Sequence, residues 1–123
     1  MIKRIPLSVT CNASGVGAAT ASASVSGWLV AIAFNLGTLD SGGADVTFST
    51  VNSDAAATLL TLTNASASAT YYPLAKGCSE AGALNTGYTE KIWIDGAVKM
   101  AVAQGGNATS GSCVFFVAME PPR

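Results

Sequence analysis

The chain has 123 residues, half of them hydrophobic and 11% charged, with a formal net charge of −1 and no histidine. That length suits one domain, 1–123, which buries roughly two-thirds of its unfolded surface on folding. So low a charge content is the reverse of a disordered composition. A near-neutral chain without a basic stripe excludes nucleic acid as the main ligand. Without histidine, Ser-His and Cys-His nucleophile pairs cannot form and the usual zinc ligand sets are missing.

In chain order the dominant period is two. Ile5, Leu7, Val9 and Cys11 alternate with Arg4, Pro6, Ser8 and Thr10, which reads as a half-buried strand. Pro6 has no amide donor, so this strand is expected at a sheet edge. After a loop at 12–17, Ala19, Ala21, Ala23 and Val25 alternate with Thr and Ser. Trp28, Val30, Ile32 and Phe34 then alternate with Leu29, Ala31 and Ala33, apolar on both faces. This is either a strand buried on two sides or a core strand with a contact surface on its back. Trp28 is expected in the core, although with Tyr71, Tyr72 and Trp93 it is also a candidate for a face that stacks on sugars.

Gly37, Gly42 and Gly43 mark 36–44 as a long mobile connection, and 45–51 returns as a strand with Val46 and Phe48 on one face. Ser53 or Asp54 could cap a helical turn through 55–57, with a strand from about Thr58. A short extended piece covers Tyr71-Tyr72-Pro73, and 74–88, with Gly77, Gly82 and Gly87, reads as a long loop. Asp95-Gly96 between alternating runs reads as a tight hairpin turn. The last strand, 112–119, puts Cys113, Phe115, Val117 and Met119 on one side. About eight short strands with Gly-rich turns and no helical period give an all-β antiparallel β-sandwich, with the jelly roll preferred. Short flexible termini are expected at about 1–4 and 120–123.

Candidate chemistry is sparse. Cys11, Cys78 and Cys113 are odd in number and widely spaced, so they read as free thiols acting as small hydrophobes. Asp40 and Asp45 bracket a Gly-rich loop; a carboxylate pair can serve glycoside hydrolysis or calcium, but the spacing does not match a calcium-binding loop. No cofactor motif and no catalytic set emerge, and the expectation is a protein that binds and is not an enzyme. Candidate protein-interface residues are Lys3, Arg4, Tyr71, Tyr72 and Trp93. The basic pair could reach a neighbouring subunit, and the aromatic residues stand between packing and contact. No apolar run approaches the ~20 residues needed to cross a bilayer, and no secretory leader is read at the start, so a soluble protein made without an export signal is expected.

Three stretches carry a resemblance: 1–10 (MIKRIPLSVT), Leu59-Leu60-Thr61-Leu62-Thr63-Asn64 on to Ala69-Thr70-Tyr71-Tyr72-Pro73, and 98–107 (VKMAVAQGGN) followed by Gly111 and an apolar last strand. Together they resemble small virion proteins of tailed bacteriophages, most of all the jelly-roll capsid decoration (cement) proteins. The chain departs from that pattern at Ala33-Phe34-Asn35, where such proteins often carry a charge. The resemblance implies a bacterial host, a place on the outer capsid surface, the major capsid protein as partner, and self-association as a dimer or trimer. A tail or baseplate component and a carbohydrate-binding module aiding host adsorption are the competing expectations.

Overall fold

The period-two alternation is realised as strands throughout. The computed structural model describes residues 2–51, 57–78, 84–90 and 92–119, and among these there is no helix. Ten strands follow in order: β1 (Ile2–Thr10), β2 (Gly17–Thr20), β3 (Val25–Asn35), β4 (Ala44–Val51), β5 (Ala57–Ala65), β6 (Ala69–Tyr71), β7 (Ala75–Cys78), β8 (Leu84–Glu90), β9 (Trp93–Ala103) and β10 (Ser110–Met119). Every pairing is antiparallel.

Two four-stranded sheets face each other. One runs β1-β10-β3-β6 and the other β2-β9-β4-β5, the two joined where the start of β9 pairs with β3, and among the described residues β7 and β8 pair with each other. Leaving out that hairpin and counting the other eight strands in chain order, the sheets read 1-8-3-6 and 2-7-4-5. This is the jelly-roll order, in which each sheet draws strands alternately from both ends of the chain. β1 lies at the edge of its sheet, where the missing donor of Pro6 is tolerated.

The core lies between the sheets. Phe34 and Phe115 from the first sheet meet Phe48 from the second, with ring centroids 6.1 and 5.9 Å from that of Phe48 and near-perpendicular planes. Ile32, Val46, Ile94, Val98, Met100 and Val117 surround them, fully enclosed. Edge-to-face contact suits rings whose faces are negative and whose rims are positive. Cys11, just past the end of β1, and Cys113, at an inward position of β10, are buried free thiols of this core.

Four expectations are corrected. Asp95-Gly96 is not a hairpin turn, because β9 continues through it without a break. Residues 93–96 pair with β3, whereas 97–103 pair with β4, so Gly96 sits where the strand passes from one sheet to the other. Its φ of 140° lies where only glycine is at ease. Here Asp-Gly serves a corner of the sandwich, the other role of glycine inside a strand. The stretch read as a long loop contains the β7–β8 hairpin, whose shifting register left no clean period.

The connection from 36 to 43 is tied to the body of the sandwich. Leu39 is buried, and the Thr38 and Asp40 amides donate to the carbonyls of Ser110 and Gly105 at 2.8 and 2.9 Å. Finally, β1 begins at Ile2, and residues 2–4 pair with 116–118 of β10, so Lys3 and Arg4 are strand residues and not a free arm. The helical turn considered at 55–57 and the tail at 120–123 fall largely or wholly outside the described residues.

Candidate protein-interaction surface

The site follows from one irregularity in β3. Its pairing with β10 matches Phe116 to Ala31 and then Val117 to Leu29, passing over Val30. An extra residue in one strand is a β-bulge, and it reverses which residues face inward on either side of it. Ile32 and Phe34 point into the core beyond the bulge. Before it, Val25, Gly27 and Leu29 point inward, and Trp28 and Val30 point out. Trp28, expected in the core, is therefore 38% exposed and Val30 is 37% exposed, while Leu29 is buried.

The register then assembles a row across four strands. Ile2 of β1 stands beside Ala118 of β10, Ala118 beside Trp28 of β3, and Trp28 beside Trp93 of β9. Ile2 is 55% and Trp93 45% exposed. The two indoles pack edge to face with centroids 4.9 Å apart. Next along the strands, the Arg4 guanidinium lies 5.6 Å from the centre of the Phe116 ring, a cation over an aromatic face. On the other side, Ser26 Oγ donates to Asp95 Oδ1 at 2.8 Å.

A groove of about 200 Å³ borders the row, lined by Trp28, Val30 and Ala118 and by Tyr72, Pro73 and Leu74. The last three follow β6, the short edge strand whose pairing ends at Tyr71. Tyr72 is 70% exposed. The apolar row and the groove form one contiguous exposed surface rimmed by polar groups, the candidate contact face of the molecule.

Of the residues singled out from sequence, Arg4, Tyr72 and Trp93 gather at this face. Tyr71 does not: it is half-buried against the core. Lys3 is exposed and faces the other way, into an opening of about 440 Å³ between β1 and residues 20–25. Sequence reasoning missed Ile2, Val30 and Ala118 and misplaced Trp28. The available signal was the apolar character of both faces of 28–34, which allowed a contact surface behind a core strand.

The two carboxylates do separate work. Asp45 Oδ1 accepts from the Asn64 amide at 3.0 Å, whereas the Asp40 carboxylate lies beside Gly106. Among the described residues no group of three or more Cys, Asp or Glu side chains is placed to hold a metal ion, and no helix is long and apolar enough to cross a membrane. Burial pushes the Cys113 thiol up to about 12, against a smaller opposing effect of a hydrogen bond with the Leu7 backbone. Such a thiol is a packing group, since the reactive form is the thiolate. No protein-family model, no curated protein and no solved structure matches the chain.

Proposed function

We propose that this chain is a non-enzymatic structural protein of a tailed-phage particle. In this reading it is a decoration (cement) protein on the outer capsid surface, binding across subunits of the major capsid protein. The observation that carries the reading is the outward apolar row of Ile2, Ala118, Trp28 and Trp93 on a jelly-roll sheet. It is supported by the resemblance of the sequence to such proteins and by the low charge of the chain. In this role the face serves contact between proteins within the shell lattice.

Magnitude favours a lattice over an isolated pair. Four strands spaced by ~4.8 Å and two rows of side chains make a patch of roughly 300 Å². At about 25 cal/mol per Å² its burial contributes roughly 7 kcal/mol before association costs of about 4–15 kcal/mol are subtracted. A single contact of that size is weak. Repetition over a symmetric shell raises the effective concentration of each neighbour and makes weak contacts cumulative.

The carbohydrate-binding alternative finds less support. The edge-to-face tryptophans cover one ring with the rim of the other instead of presenting a flat platform, and the neighbouring polar pair, Ser26 and Asp95, is already engaged with itself. Quantitative mass spectrometry of gradient-purified particles from a lysate expressing the gene tests the reading. Hundreds of copies per particle are expected. A handful of copies would move the chain to the tail or baseplate, and absence from particles would overturn a virion role.

A further inference from the structure

β1 and β2 are edge strands of the two facing sheets, and among the described residues each is paired along one side. They touch at one end, where a Cβ on Gly17 would lie 2.7 Å from the Thr10 carbonyl oxygen. Toward the other end they part, leaving the opening of about 440 Å³ between residues 3–7 and 20–25. Backbone phase decides what faces this seam. The Cys11 amide donates to the Thr109 carbonyl, so in the unbroken β1–β10 register residues 3, 5, 7 and 9 exchange hydrogen bonds with β10. The amides and carbonyls of Arg4 and Ser8, with the carbonyl of Pro6, therefore point away from β10. Pro6 lacks its donor at this outward phase, where no ladder bond is lost. On the other side, the Ala21 amide donates to the Val98 carbonyl, and the same alternation turns the Thr20 backbone away from β9.

The side chains add a pattern. Lys3, Ile5 and Leu7 share one face of β1, apolar at 5 and 7 and cationic at the mouth. Ile5 and Leu7 keep 8% exposure, whereas Ile32, Phe48 and Phe115 at the centre of the core keep none. No carboxylate lines the opening, and among the described residues Lys3 has no ion-pair partner.

We propose that this seam takes an extended acidic peptide segment of an unlike protein as an added strand on β1. The guest donates to the carbonyls of Arg4, Pro6 and Ser8 and accepts from the amides of Arg4 and Ser8, about 13 Å apart along the strand. Its inward side chains stand beside Lys3, Ile5 and Leu7, which selects a carboxylate and two apolar residues at alternate positions. A second copy of β1 is a poor guest, because it carries two cations and no carboxylate to meet Lys3. An inward charge on an edge strand resists indiscriminate pairing. A guest carboxylate turns that resistance into selection. The seam lies apart from the outward row of Ile2, Ala118, Trp28 and Trp93, and it does not depend on the virion role.

Fluorescence anisotropy of the labelled heptapeptide ETVSVTE with the purified full-length protein tests the proposal. The peptide reads alike in both directions and so favours neither parallel nor antiparallel pairing. Saturable binding below about 1 mM is expected, at least five-fold tighter than for KTVSVTK, in which lysines replace the acids. Lys3→Glu should reverse that preference with an unchanged circular-dichroism spectrum. Amide exchange followed by NMR should slow at least ten-fold at Arg4 and Ser8 on saturation. The amides of Ile5 and Leu7, already bonded to β10, should not change. Absence of ETVSVTE binding up to about 1 mM overturns the proposal, as does equal binding of the two peptides. Binding indifferent to Lys3→Glu, or without slowed exchange at Arg4 and Ser8, overturns the place of the guest on β1. A chain that binds ETVSVTE as described yet is absent from particles sinks the virion role alone.

Discussion

Trp28 and Trp93 meet edge to face across the β3–β9 pairing, with ring planes at 77°. Both are more than a third exposed. The contact joins the two sheets at the corner where β9 changes partners, and it does so on the outside of the molecule. Trp93→Ala is expected to leave the fold intact and to cost about 1 kcal/mol, the size of an aromatic pair interaction beyond area burial. Thermal melts should show a midpoint lower by a few degrees. A double-mutant cycle with Trp28→Ala should return a coupling of about 0.5–1.5 kcal/mol; additive losses would mean that the indoles do not support one another.

Phe48 behaves differently because both of its aromatic neighbours belong to the opposite sheet. Its side chain is fully enclosed. Phe48→Ala should cost about 3–5 kcal/mol through lost burial and the cavity left behind. Chemical denaturation should record that loss, or a failure to fold. Phe48→Leu, which retains most of the volume, should fold and lose less. Equal losses in the two variants would argue against a cavity as the cause.

At Gly96 the φ of 140° coincides with the passage of β9 between sheets. Gly96→Ala places a Cβ on a backbone that L-residues avoid, at a cost of about 1–3 kcal/mol. Urea unfolding should show a lower midpoint with an unchanged slope. A neutral outcome would indicate that the corner relaxes without strain.

Ala108 presents the opposite case, a residue with a Cβ held at φ 55° in the turn before β10. Ala108→Gly removes a left-handed penalty of about 1–2 kcal/mol and adds about 0.5–1 kcal/mol of unfolded-state entropy. A net gain of about 0.5 kcal/mol is expected, read as a higher urea midpoint. A loss would show that the Ala108 methyl makes a contact worth more than its strain.

The Cys113 thiol supplies a pH dependence of definite sign. Burial raises its pKa from 9.0 to about 12, so the folded state holds the proton more tightly than the unfolded chain. The stabilising contribution is complete below about pH 9 and is lost as pH rises from there toward 12. Native protein at pH 8 should leave Cys113 unmodified by a thiol reagent that labels it after unfolding. Cys113→Ala should lose stability less steeply than the wild type between pH 8 and 10. Identical slopes would mean that the thiol is not desolvated in the native state.

Much of this architecture could be read from side-chain alternation, because a strand buried on one face must place every second residue inward. That logic located the inward residues of β1, β4 and β10, the edge position of β1 through Pro6, the buried thiols, and the all-β class with its jelly-roll preference. What pairs with what lay beyond it. The bulge at Val30 turns Trp28 outward only because β10 keeps its own register on both sides. Asp95-Gly96 becomes a corner only because β3 and β4 both claim β9. The row of Ile2, Ala118, Trp28 and Trp93 joins residues up to 116 positions apart in the chain. Local periodicity determines which way a strand wants to face, but long-range hydrogen bonding sets the register, and the register decided which apolar residues share the outer surface.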